Sequence, residues 1–136
     1  MTPDALAAEA LAMTPRSHSP YSHYAVGAAL LDEKGNVYGG VNVENASYGL
    51  TMCAERVAIG NAIADGASRF TALAIAVAHG PTAWPCGACR QVLAEFCPPE
   101  LEIYLVSGDN PDRIDRDTLG SLLPRSFRLE TGSPRA

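Results

Sequence analysis

Two short segments concentrate side chains able to hold a metal and move protons: Cys53-Ala-Glu-Arg56 and Pro85-Cys-Gly-Ala-Cys-Arg90. Cys86 and Cys89 are one turn apart on a single helix face, the usual spacing for two thiolates on a tetrahedral ion. Cys53 lies 32 intervening residues earlier, so a third thiolate has to arrive from a separate element. Both segments read as helix N-termini. There, unpaired N–H groups and the helix dipole favour negative charge and lower a thiol's pKa, preparing thiolates for a metal. The fourth cysteine, Cys97, is eleven residues after Cys86, which is about 16 Å along a continuous helix. One ion cannot bind both, and Cys97 reads as a small core residue. Three thiolates leave an open coordination position, the mark of a catalytic rather than a structural zinc.

Glu55 makes the set specific. Residues two apart point about 200° apart in mid-helix, but in the first turn both can reach a site on the extended helix axis. A carboxylate there accepts a proton from a metal-activated water and hands it to a substrate. Alone, Glu55 would read as a first-turn acid complementing the helix dipole; beside three cysteines it reads as the proton carrier. Arg56 has two readings, a guanidinium that donates to the cysteine sulfurs or an ordinary helix-surface arginine.

The elements that must position these residues follow from periodicity and punctuation. Residues 3–14 carry Leu6, Ala10 and Met13 at helical spacing, with Pro3 near the start and Pro15 ending the pattern. Ser17 to Tyr24 is a polar and aromatic loop. Ala25–Asp32 and Val37–Val43 flank a turn and read as an antiparallel hairpin. Thr51 to Ala64 is a helix stopping near Gly66. Ala72–Ala78 is a continuous apolar run, consistent with a strand covered on both faces. A helix opens at Pro85 and Gly87 and runs to Cys97, where Pro98-Pro99 ends it. Leu101–Val106 is another buried-type strand, followed by a short helix near Thr118–Leu122 and an open tail from Arg128. A hairpin followed by helix–strand–helix–strand predicts an α/β fold, a mixed sheet with helices on both faces.

The chain has 136 residues, one domain's worth (1–136). It is 47% hydrophobic and 18% charged, which excludes wholesale disorder. Ten Lys+Arg against fifteen Asp+Glu leave a net charge of -5, a poor match to a polyanion, so no nucleic-acid partner is expected. No basic n-region precedes an apolar stretch at the N-terminus, and the long uncharged stretch from Phe70 to Cys89 is broken by His79, Gly80, Pro81 and Pro85. The expectation is a cytoplasmic protein without membrane attachment, where thiols stay reduced.

Cys-Ala-Glu followed by Pro-Cys-x-x-Cys is the three-cysteine form of a zinc deaminase signature. Over nearly the whole chain the surrounding blocks resemble the short, homotetrameric cytidine deaminases. The blocks are Ser19-Pro-Tyr-Ser-His-Tyr24, Val26-Gly-Ala-Ala-Leu-Leu31, Asn42-Val-Glu-Asn-Ala46, Cys53-Ala-Glu-Arg56, Pro85-Cys-Gly-Ala-Cys-Arg-Gln-Val92 and Leu122-Leu-Pro124. The resemblance implies a three-layer α-β-α sandwich around a five-stranded mixed sheet. It also implies hydrolysis of cytidine and 2′-deoxycytidine to uridine and 2′-deoxyuridine with release of ammonia, in pyrimidine salvage, by a homotetramer. By the same resemblance Cys53, Cys86 and Cys89 bind one Zn²⁺ per subunit and Glu55 is the proton shuttle. Asn42 and Glu44 hold the ribose 3′-hydroxyl, Tyr24 packs on the pyrimidine, and backbone groups around Ala54 and Pro85 lie near the base edge. Phe127 matches a phenylalanine that enters a neighbouring subunit's site. Ala25, Val41 and the Arg-Leu-Glu-Thr-Gly stretch after Phe127 depart from the frequent family pattern without touching the zinc assignment.

Three rival readings have distinct signatures. Trp84-Pro-Cys-Gly-Ala-Cys89 superficially resembles a thioredoxin redox pair, but that leaves Cys53-Ala-Glu unexplained. A related deaminase could take an aminonucleoside antibiotic or a polynucleotide base; the acidic charge and the Asn42–Glu44 motif favour a free nucleoside. A purely structural zinc module lacks its fourth ligand.

Overall fold

A computed structural model describes residues 1–129. Thr2 caps the first helix, α1 (Pro3–Met13), its hydroxyl accepting from the Ala5 N–H at 3.1 Å, and Pro3 occupies the first turn, where no N–H is needed. The hairpin forms as β1 (Val26–Asp32) and β2 (Val37–Val41). Asp32 closes its turn by accepting from the Lys34 and Asn36 N–H groups at 3.0 and 2.8 Å. The remaining elements are α2 (Ala54–Ala64), β3 (Phe70–Val77), α3 (Gly87–Phe96), β4 (Glu102–Ser107), β5 (Asn110–Thr118) and a one-turn α4 (Leu119–Leu122). Gly66, at φ +90°, ends α2 with the Gly66 N–H on Ile63 and the Ala67 N–H on Ala62.

The strands form one sheet in the order β2-β1-β3-β4-β5, with β3 and β4 parallel and all other pairs antiparallel. Helix α1 covers one face, and α2 and α3 cover the other. The expected α-β-α sandwich around five mixed strands is therefore the observed architecture. The apolar run of β3 divides by size. Ala72, Ala74 and Ala76 face α1, where Leu6, Ala7 and Ala10 pack, while Leu73 and Ile75 face α2 and α3.

Strand β5 has no counterpart among the elements read from sequence. It is an exposed edge strand carrying Pro111, Asp112, Arg113, Asp115, Arg116 and Asp117, so it lacks the apolar alternation that announces a strand. Helix α2 starts at Ala54 and not at Thr51, because Thr51 and Met52 remain extended and the Met52 and Val43 main chains exchange hydrogen bonds. Arg128 and Leu129 have no regular structure, as the open tail predicts; the rest of that tail lies outside the described residues.

Because α2 leads into β3 and β3 leads into α3, the N-termini of both helices lie at the C-terminal end of β3. Close approach of α2 to the sheet depends on Gly40. A Cβ there would fall 2.3 Å from the Ala54 carbonyl oxygen and 2.5 Å from the Ala58 nitrogen.

Candidate active site and metal centre

Cys53 is the N-cap of α2 and Cys86 the N-cap of α3, and neither makes a side-chain capping bond. Their sulfurs are 3.9 Å apart. Cys89, one turn into α3 and buried, completes a group whose three sulfurs all lie within 4.8 Å of one another. A tetrahedral ion with zinc–sulfur bonds of about 2.3 Å separates its sulfurs by about 3.8 Å, so these thiols suit zinc with small adjustments. Cys97 is the C-cap of α3, buried in the core on the helix-pair face of the sheet, and that burial pushes its thiol up to about 12. It takes no part in the cluster, as its spacing indicates.

The electrostatics divide the cluster. A hydrogen bond from the Cys89 thiol, helped by Arg56 and Cys86 against the effect of burial, pulls Cys53 down to about 5. The same contact with Cys53, reinforced by burial, pushes Cys89 up. Arg56 donates to Cys53 Sγ at 3.5 Å and to the Thr51 carbonyl at 3.4 Å.

Glu55, in the first turn of α2, is only 5% exposed. Burial, and then the negative charge of Cys53, hold its carboxyl above the usual range. Tyr24 is raised by partial burial and by the charge of Glu55, which ties its phenol electrostatically to that carboxylate. Ala54, fully buried, opens the same turn.

The polar residues of the N-x-E block are held by the loop before β1. Asn42 Oδ1 accepts from the Val26 N–H at 3.0 Å and from the Ser17 hydroxyl, and Asn42 Nδ2 donates to the Tyr24 carbonyl at 2.7 Å. Its amide therefore keeps a single N–H for another partner. Glu44 lines a cavity of about 330 Å³ with Tyr21, Ser22, Tyr48 and Thr51. Phe127 lies on the surface, 69% exposed, its carbonyl accepting from Gln91 at 3.0 Å.

Sequence reasoning missed Ser17, Ser22 and Arg90. The serines lie in a polar loop 25 and 22 residues from the groups they bind, and no local spacing announces such a contact. Arg90 follows the last thiol and spans two carbonyls, Pro85 at 2.7 Å and Leu122 at 2.9 Å. Its position one residue beyond Cys89 was the available signal.

Residues 2–105 match the family described as the cytidine and deoxycytidylate deaminase zinc-binding region. The chain belongs to that family. It is 45% identical over 133 residues to a cytidine deaminase of Sporosarcina psychrophila, covering 96% of this chain and 94% of the relative. A crystal structure of cytidine deaminase from Burkholderia pseudomallei superposes with a TM-score of 0.87 at 43% identity, covering 93% of this chain and 100% of that one. One from Mycobacterium tuberculosis gives 0.80 at 44% identity, covering 93% and 97%. The chain is thus an enzyme of the deaminase type, a hydrolase, and its cofactor is one zinc ion suited to Cys53, Cys86 and Cys89.

Proposed function

We propose that this enzyme hydrolyses free cytidine and 2′-deoxycytidine to the corresponding uridines and ammonia, in pyrimidine salvage in the cytoplasm. The observation that carries the reading is the three-sulfur cluster with a buried Glu55 in the first turn of the same helix as Cys53. Zinc at the three sulfurs supplies activation of a water at neutral pH. With zinc held by Cys53, Cys86 and Cys89, Glu55 would relay a proton from the attacking water to ring N3, making C4 electrophilic. The water oxygen adds at C4, and Glu55 carries the second proton to the amino group. The C4–N bond then breaks and ammonia leaves.

Asn42 and Glu44 offer an amide donor and a carboxylate acceptor, the pair a sugar hydroxyl needs. Tyr24 supplies an aromatic face for the pyrimidine, and main-chain groups at Ala54 and Pro85 serve the base edge. Net charge of -5 supports a small nucleoside over a polynucleotide. Among the described residues no helix is long and apolar enough to cross a membrane, and all four cysteines are free.

A homotetramer is part of the same proposal. Tyr48, Leu50, Met52, Trp84 and Phe127 are all exposed in the single chain, an apolar display that a neighbouring copy would cover. Phe127 would then serve the neighbour's site. An ultraviolet assay with cytidine, deoxycytidine, cytosine and blasticidin S, with zinc quantification and light scattering, tests the reading. Both nucleosides should be deaminated and free cytosine spared. Zinc-loaded protein that deaminates neither nucleoside overturns it.

A further inference from the structure

Glu44 belongs to no helix or strand, so something other than its own backbone must aim the carboxylate. Three donors hold it, all from two adjacent residues. The Tyr21 and Ser22 N–H groups donate to Oε1 at 3.0 and 3.1 Å, and the Ser22 hydroxyl donates to Oε2. Two bonds to Oε1 alone would leave the carboxylate free to swing Oε2 about that anchor. The bond from Ser22 to Oε2 removes this freedom.

The direction of that bond is fixed by a second contact. A hydroxyl has one proton to donate and two lone pairs. The Tyr24 N–H donates to Ser22 Oγ at 3.0 Å, so the hydroxyl proton is left for Glu44. The turn that permits this runs through His23, at φ 57° in the left-handed region, whose own N–H is held by the Ser19 carbonyl at 3.0 Å. Together these donors hold Glu44 below the usual carboxylate range, Ser22 contributing most.

Resting on the sugar-binding role proposed for Glu44, we infer that Ser22 is a positioning residue for recognition of the nucleoside 3′-hydroxyl. Its O–H occupies one side of Glu44 Oε2 and leaves the other aimed at the sugar. The loop is exposed, so water can satisfy the Tyr24 N–H once the hydroxyl is gone, and Ser22→Ala should fold normally.

The test compares kcat/KM for cytidine and 3′-deoxycytidine in the zinc-loaded enzyme and in Ser22→Ala, Ser22→Thr and Glu44→Ala. Ser22→Ala should lose about tenfold on cytidine, the scale of a hydrogen bond to a charged group, and less than about twofold on 3′-deoxycytidine. Ser22→Thr, which restores the hydroxyl, should restore the discrimination. Equal losses on both substrates, or no loss on cytidine, would overturn the inference while Glu44→Ala still abolishes the discrimination. If Glu44→Ala keeps the discrimination, the sugar-binding reading itself fails, and the inference with it.

Discussion

Glu55 stands among groups that pull its proton affinity in opposite directions. Burial and the Cys53 charge favour the protonated acid, while its own main-chain N–H, the Cys89 thiol and Arg56 favour the carboxylate. The proton-shuttle role proposed for Glu55, which accepts a proton and returns it within one turnover, benefits from such a balance. Glutamine in its place keeps the shape and removes the exchangeable acid. Glu55→Gln should therefore retain its zinc by metal analysis and lose roughly 10³-fold in turnover. Near-normal turnover would mean that another group moves the protons. The clustering of the three thiols was legible from spacing, because a metal needs its ligands at repeatable intervals. The loop serines were not, since a hydrogen bond across more than twenty residues leaves no periodic trace.

At the scale of elements, the site depends on how closely α2 can lie on β2. Gly40→Ala would drive a Cβ into main-chain atoms of the first turn of α2, where no side chain can yield. We expect a loss of about 1–3 kcal/mol in urea denaturation, together with faster zinc release to a chromophoric chelator. Gly60→Ala is the control. It lies within α2 with nothing inside 4 Å of its Cβ, and should gain helix stability of about 0.5–1 kcal/mol. The hairpin turn makes a second prediction. Burial alone would raise Asp32, but hydrogen bonds from the Asn36 side chain and from the Asn36 and Lys34 main chains outweigh it and hold the carboxyl low. A depressed folded-state pKa stabilises the fold above the unfolded value of about 4 and loses that stabilisation as pH falls through the folded value. The stability of Asp32→Asn, followed by acid titration of the unfolding free energy, should thus fall less steeply than wild type below about pH 4. The hairpin and the β3 run were readable because apolar residues and turn formers mark them. Strand β5 was not, because Pro111 and five charged side chains suit an exposed edge and suppress the very pattern that identifies strands.

For the whole molecule, the thiols come from two helices on one face of the sheet, so a zinc ion joins α2 to α3. A ligand that binds only the folded state stabilises by mass action, about 4 kcal/mol when its free concentration is a thousand times its Kd. Removing zinc with a chelator should therefore lower the midpoint of thermal unfolding, and adding zinc back should restore it. An unchanged midpoint would show that the helix pair is held by its core alone, through Ala58, Ile59, Leu93 and their neighbours.

Arg90 and Gln91 sit side by side on α3, and each grips a carbonyl of the C-terminal segment, at Leu122 and at Phe127. Two of the three sulfurs sit at the opening turn of that same helix. Helix α3 therefore carries two of the sulfurs at its opening turn and holds the chain's last described segment along its flank. The thiols suited to zinc and the side chains that hold the C-terminal segment thus share one short stretch of chain, Cys86 to Gln91.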